Sequence, residues 1–273
     1  MQHLTGKTAF ITGGASGIGS AMAKVFAREG MNVMLADIEA GALDEAAHAL
    51  RNTGTNTGTV VCDVADAQSV TRAAQAAFEK FGNVHIVCNN AGVGGGSGID
   101  DIRLDTWRWV IDVNLMGVVY GIEAFLPHMR AHGEGGHIVN TASMAGLNTG
   151  LGFSAYVASK FAVVAMSEGL AKQVAPLGIG VTVLCPGFVR TRIWESARNR
   201  PTRYGEAPPP GPLHKQLAEL GAAGLEPEDV AAQVLAAIRA NELYVFTHAG
   251  PDWRAEVQER FDGILAAMDR AAQ

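Results

Sequence analysis

TAFITGGASGIGSAMAKVFAREG, residues 8–30, is the stretch whose reading decides the fold. It opens with apolar, β-favouring residues on consecutive positions (Thr8–Ile11), as a strand buried on both faces must. A glycine-rich turn follows, Thr12–Gly19, and then an Ala-rich helical pattern that stops at Gly30. Gly13, Gly17 and Gly19 allow a tight turn and let backbone approach a pyrophosphate closely. The helix behind them offers free N–H groups and the positive end of its dipole to phosphates. The spacing is G-x-x-x-G-x-G rather than G-x-G-x-x-G. A glycine turn without a ligand is the plain alternative, and the strand–turn–helix setting argues against it.

The same alternation repeats along the chain. Strands are expected at Thr8–Ile11, Asn32–Asp37, Thr59–Asp63, His85–Asn89, His137–Thr141, Gly180–Leu184 and Tyr244–Thr247, with Ala-rich helical patterns between them. Repeated βα units predict an α/β fold, a doubly wound parallel sheet flanked by helices. No linker or internal repeat divides the chain, so one domain is expected over residues 1–273. With 273 residues, 48% of them hydrophobic, there is ample material for a core. The net charge of −6 gives no sign of nucleic-acid binding. Cys62, Cys88 and Cys185 are scattered and odd in number, which suits buried thiols in a reducing compartment rather than disulfides or a metal site. The N-terminal residues lack a signal-peptide pattern, and the longest uncharged stretch, residues 137–159, is too interrupted by polar residues to cross a membrane. A cytoplasmic protein is expected.

Several polar residues fall at the expected strand ends. Asp37 closes the second strand about 20 residues past the glycine turn, where a carboxylate can accept both ribose hydroxyls of NAD and repel a 2′-phosphate. Ile38 and Ala15 supply no cation for NADP, and the plain alternative is a helix cap. Asp63 either reaches an adenine amine or caps the next helix. Asn89-Asn90-Ala91-Gly92 closes the fourth strand with small residues that let the chain pass beside a cofactor, or is simply a turn. Asn114, among apolar neighbours in a helical pattern, must find a partner or bend the helix. Ser143 lies just beyond the strand GGHIVNTAS. Tyr156 and Lys160 sit four apart in a further helical pattern, on one face and about 6 Å apart along the axis. A phenol holds its proton to pH ~10, and an ammonium one turn away favours the phenolate, making an acid/base that can work nearer neutrality.

Taken in order, TGGASGIG (12–19), Asp37, Asp63-Val64, NNAG (89–92), Asn114, Ser143, YVASK (156–160) and PGFVRT (186–191) resemble the short-chain dehydrogenase/reductase family over nearly the whole chain. The resemblance implies a single Rossmann-type domain of seven parallel strands that binds NAD. It implies Tyr156 as general acid/base, Lys160 as the group that lowers its pKa and holds the nicotinamide ribose, Ser143 as the holder of the substrate oxygen, and Asn114 as the anchor of a water in a proton relay. Gly13, Ser16, Gly17, Ile18, Gly19, Asp37, Asp63, Val64, Asn90, Ala91 and Gly92 would line the cofactor. Pro186 and Gly187 would shape the turn beneath the nicotinamide, with Val189 and Thr191 on its carboxamide. NAD+ would bring a second positive charge near Tyr156. Family members are usually tetramers or dimers, with interfaces on the long helices that here carry Asn114 and Tyr156.

Residues 192–225, following the nicotinamide turn, are expected to form a substrate lid. Ser143, Leu147, Leu151, Phe153, Tyr156 and Trp194 are expected to line a roomy, apolar pocket, with Gly94–Gly98 opposite. The sequence RPTRYG, the residues around Glu226 and the tail beyond His248 resemble the branch containing the Cα-dehydrogenases of lignin-derived aryl ethers, which implies a bulky, apolar or aromatic secondary alcohol. The tail itself reads as an amphipathic helix. Arg190, Arg192, Arg198, Arg200 and Arg203 could grip an acyl carrier's phosphates, which would make the enzyme a 3-oxoacyl thioester reductase, or could lie on a solvated helix face. A non-catalytic NAD sensor is the rival of another class. TASMAG around Ser143 does not form a hydrolase elbow, and His128 and His132 lack the Glu of a metal motif, so no metal is expected.

Overall fold

The computed structural model describes residues 1–95, 99, 102–150 and 154–272. Seven strands form one parallel sheet: β1 (Thr8–Thr12), β2 (Asn32–Asp37), β3 (Thr57–Val61), β4 (Ile86–Asn89), β5 (Gly136–Thr141), β6 (Ile179–Cys185) and β7 (Tyr244–Phe246). Their spatial order is β3-β2-β1-β4-β5-β6-β7. β1 pairs with β2 on one side (Ala9 opposite Val33) and with β4 on the other (Ala9 opposite Ile86). The winding therefore reverses between β1 and β4, the crevice where such sheets take ligands.

Helices α1 (Gly17–Arg28), α2 (Ala40–Arg51) and α8 (Pro227–Ala240) cover one face, with Met22, Phe26, Leu43, Val234 and Ile238 buried against β1 and β2. Helices α3 (Ala67–Phe81), α4 (Leu104–Ile111), α5 (Gly117–His132) and α6 (Ala155–Val174) cover the other. There Phe10 of β1 meets Phe125 of α5 at 4.4 Å between ring centroids. Segment Leu104–His132 is long and apolar enough to span a membrane by length and composition. Its apolar residues, Trp109, Val110, Val113, Val118, Phe125 and Met129, are buried in this protein's own core. α7 (Pro212–Ala222) and α9 (Pro251–Ala271) complete the chain.

Strand boundaries shift by a residue or two from the sequence expectation. β3 starts at Thr57 and ends at Val61, because Cys62 and Asp63 turn away: the Asp63 backbone N–H donates to Ser69 Oγ, and its carboxylate takes the N–H of Ala65 (3.0 Å). The cap of α3 is Asp66, which accepts from the backbone of Gln68. β7 stops before Thr247, whose hydroxyl leaves the sheet to take the N–H of Gly187 (3.0 Å). The helical pattern around Asn114 is continuous, but Asp112–Met116 between α4 and α5 is a π-turn.

Candidate active site

Three elements bring the catalytic candidates together at the carboxyl edge of the sheet. Ser143 follows β5 and starts a short 3-10 turn, Met144–Gly146; its Oγ accepts from Ala145 N (3.1 Å) and donates to the carbonyl of Pro186 (3.3 Å). The serine is thereby fixed to the PGFVRT turn. Tyr156 and Lys160 lie in the first turns of α6, whose N-terminus is capped by Ser154 Oγ accepting from Val157 N. Lys160 is 2% exposed; its Nζ lies 5.6 Å from the centre of the Tyr156 ring and donates to the carbonyl of Thr141 at 2.8 Å. Burial pushes the ammonium down to about 8. Burial also raises the Tyr156 phenol above its ordinary value, while the hydrogen bond with Ser143 works in the opposite direction. In the chain alone, desolvation sets the direction for the phenol, and Lys160 is not among the groups that shift it.

Asn114 sits in the π-turn, 1% exposed. Its amide takes both polar groups of one peptide residue: Oδ1 accepts from Val93 N (2.8 Å), and Nδ2 donates to Val93 O (3.0 Å) and to Ser159 Oγ (3.3 Å). It holds the chain after β4 against α6. A Cβ on Gly92 would lie 3.4 Å from Asn114 Oδ1 and 3.6 Å from Lys160 Nζ, so the bare glycine opens directly onto both.

The glycine turn has the features a dinucleotide needs. Gly13 and Gly17 have φ of +64° and +53°. A Cβ on Gly13 would stand 2.9 Å from Ala91 Cα, and one on Gly17 would stand 3.1 Å from Thr191 Cγ2, closing the strip between the turn and the PGFVRT segment. Gly19 lets α1 approach the carbonyl of Gly13. Ser16 starts α1 without a side-chain cap, and the first turn has no acidic residue, so its N–H groups and positive dipole end suit an anion. Ile18 is half-buried against the core. Asp37 bridges two loops: Oδ2 accepts from Ala15 N (3.0 Å) and Oδ1 from Glu39 N (3.1 Å). Asn90 works as a stitch: its Nδ2 donates to Thr12 O (3.0 Å), while Thr12 Oγ1 accepts from the N–H of both Asn90 and Ala91. Val64 packs against Gly117 at the start of α5. Val189 bridges in parallel to Leu225, with Arg190 N donating to Leu225 O and Leu225 N to Phe188 O. That pairing turns Val189's own N–H and C=O to the opposite side. Among the described residues, no three His, Cys, Asp or Glu side chains gather where they could hold a metal ion.

A short chain dehydrogenase profile matches residues 7–202. The chain belongs to the short-chain dehydrogenase family. It is 33% identical to the Cα-dehydrogenase of a Sphingobium species, strain SYK-6, over 98% of this chain and 88% of that protein. A short-chain dehydrogenase from Burkholderia phymatum, solved in complex with NAD, superposes with a TM-score of 0.93 at 38% identity, covering 98% of this chain and 97% of that one. A short-chain dehydrogenase from Sphingobium yanoikuyae, solved with NADPH, superposes at 0.75 with 26% identity over 95% of each chain. This short-chain dehydrogenase is thus an oxidoreductase of the alcohol dehydrogenase/ketoreductase type with a doubly wound nicotinamide-dinucleotide fold.

Most of the dehydrogenase's arginine cluster is solvent-exposed, and its members are engaged in ion pairs. Each member pairs with a carboxylate: Arg190 with Glu226, Arg192 with Glu195, Arg198 with Glu39, Arg200 with Asp105 and Arg203 with Asp63. The segment expected to form a lid, residues 192–225, divides into a strap of 3-10 turns, Ile193–Asn199 and Thr202–Tyr204, and α7. Trp194 packs its indole against Gly221 and faces His214, both of α7, in a cleft of about 890 Å³ that also includes Ser16, Gly17 and Lys24. Leu147 packs with Met144 and Trp253 beside Ser143. Leu151, Phe153 and most of Gly94–Gly98 lie outside the described residues. Gly94, from that proposed wall, is tied down by the strap through Ser196 Oγ (3.0 Å).

Sequence reading passed over Thr12, Asn140, Ser167, Thr247, His248 and Trp253. Asn89 donates to Asn140 (2.9 Å) and Asn140 to Ser167 (3.0 Å), a buried polar chain joining β4, β5 and α6. His248 lies against Gly187 and bonds Thr247. A polar residue inside an apolar strand was the available signal for Asn140; the others follow no local pattern.

Proposed function

We propose that this short-chain dehydrogenase oxidises a bulky, largely apolar or aromatic secondary alcohol to its ketone with NAD, Tyr156 serving as general base in that direction and general acid in the reverse. The observation that carries the reading is the meeting of Tyr156, Ser143 and the buried Lys160 beside Gly92 and the glycine turn. Ser143 Oγ orients the substrate oxygen toward the phenol, and Tyr156 Oη takes the hydroxyl proton as the carbinol carbon gives up hydride. NAD supplies, when bound, the nicotinamide ring that accepts that hydride. Gly13, Ser16, Gly17, Ile18 and Gly19 hold the pyrophosphate, Asp37 the adenosine ribose, Asp63 and Val64 the adenine side, and Lys160 the nicotinamide ribose. Asn90, Ala91 and Gly92 flank the cofactor, above the turn at Pro186 and Gly187. A carboxamide pairs with one N–H and one C=O, which the outward peptide of Val189 provides, next to Thr191. Asn114 is a positioning residue: its amide is taken up by Val93 and Ser159, so any relay water would rest on the main chain of the π-turn.

The preference for NAD rests on Asp37, a carboxylate where a 2′-phosphate would fall. The apolar side chains of Leu147 and Trp253 near Ser143 support a bulky substrate, as does the kinship with the Cα-dehydrogenase. Trp194 closes the lid side. Assembly through the outer faces of α5 and α6, where Val119, Ile122, Met166 and Leu170 border a shallow cavity, supports a tetramer or dimer. Free, buried Cys62, Cys88 and Cys185 suit the cytoplasm. A panel of aliphatic, steroid, sugar and aryl secondary alcohols, followed by NADH absorbance, tests the reading. Turnover concentrated among aryl and other bulky alcohols is expected; NADH from none of them would leave a dinucleotide-binding sensor.

A further inference from the structure

Residues 192–205 do not stay beside the PGFVRT turn from which they emerge. Ser196 Oγ accepts from Gly94 N (3.0 Å), just past β4. Arg198 Nη2 and Asn199 Nδ2 both donate to Glu39 Oε1 (2.5 and 2.8 Å), two residues past Asp37 and β2. Arg203 Nη2 donates to Asp63 Oδ2 (2.7 Å), just past β3. One segment thus ties together the carboxyl ends of three strands, and this is the edge that a dinucleotide crosses with its adenosine half. We propose that this segment is an arginine clasp that retains the cofactor by closing over the adenosine half; the proposal rests on the dinucleotide reading above.

The clasp has a fixed end and a releasable one. Arg200 is its fixed point: the side chain is 2% exposed, donates to Thr106 Oγ1 and Gly205 O (both 3.0 Å), and lies 5.2 Å over the Trp109 ring. Tyr204, also buried, donates to Asp112 Oδ2 (2.8 Å). The latches differ. The Arg198 and Arg203 side chains are 25% and 49% exposed, and their partners Glu39 and Asp63 are 24% and 23% exposed. Pairs this accessible are individually weak and screened by salt. They can part together while Arg200 and Tyr204 keep the strap anchored to α4. Both Asp63 oxygens are engaged, one by Arg203 and one by Ala65 N, so adenine recognition at Asp63 is coupled to latch closure.

Release of NADH into excess NAD+, followed by stopped-flow fluorescence between about 20 mM and about 500 mM NaCl, tests the clasp. The proteins are wild type, Arg198→Ala, Arg203→Ala, the double variant and Arg203→Lys. Wild-type release is expected to accelerate with salt. The double variant is expected to release about tenfold faster at low salt and to respond little to added salt, while Arg203→Lys keeps most of the salt response. Melting temperatures should barely move, because the mutated side chains are partly exposed. Release rates within twofold of wild type in the double variant, or wild-type release indifferent to salt, would overturn the clasp. The two failures separate cleanly: wild type that binds NADH but fails these tests loses only the clasp, whereas wild type that binds no NADH loses the dinucleotide reading as well.

Discussion

Burial moves the two titratable groups at the centre of the site in opposite directions. It raises Tyr156 and brings Lys160 down to about 8. The phenolate is scarce near neutrality in the free enzyme and becomes more abundant as pH rises. Rate of alcohol oxidation, as kcat/KM, should therefore climb with pH through the alkaline range, and ketone reduction should fall. Ser143 lowers the Tyr156 value through its hydrogen bond, so Ser143→Ala should move the oxidation profile to higher pH as well as reduce its height. A profile that keeps its position would remove Ser143 from contact with the phenol. Tyr156→Phe should lower kcat by about 10²–10⁴ with NADH binding by fluorescence nearly unchanged. Asp37→Ala should weaken NAD far more than NADP in the same titration; equal losses would show that the carboxylate does not meet the ribose.

At the scale of single elements, close approach decides function. α5 passes so near β4 that a Cβ on Gly121 would overlap the amide of Asn89, the first link in the Asn89–Asn140–Ser167 chain. Gly121→Ala should cost about 1–3 kcal/mol in urea unfolding despite its better helix propensity. A neutral or stabilising result would mean the strand moves freely. In β5, His137 is buried and donates through Nε2 to Thr182 Oγ1, whose own proton goes to Glu242 O. Burial depresses its pKa to about 3. Between about 3 and the ordinary 6.5 the unfolded chain binds a proton that the folded one does not, so stability is complete above 6.5 and is lost as pH falls through that window. Melting temperature should drop between pH 6.5 and 5 more steeply in wild type than in His137→Gln.

For the whole molecule, apolar residues on the outer faces of α5 and α6 and on one face of α9 stay uncovered in the single chain. Phe261, Ile264, Leu265 and Met268 are all exposed on α9, which has no buried residue. Its expected amphipathic pattern is real, and within one chain it is packed through Trp253 near its start and through Arg260 over Phe161 at 4.9 Å. Val119→Glu on α5 should shift light-scattering mass from an assembly toward the 28.6 kDa chain. An unchanged mass would put the interface elsewhere.

The alternation of buried strands with helices, the glycine turn and the order of the motifs are local in sequence, and they determined the sheet, the family and the positions of Ser143, Tyr156 and Lys160. Such features are legible because buried parallel strands, tight turns and i,i+4 pairs are each written within a few consecutive residues. Asn114 was visible as a polar residue out of place, but the π-turn and its hold on Val93 were not. The pairing of Arg198 with Glu39 and Arg203 with Asp63 spans well over a hundred residues, so arginines clustered along the chain proved to reach two separate loops. The direction of the Tyr156 shift belonged to tertiary structure too: spacing puts a cation one turn away, but the shift is set by burial, which no spacing encodes.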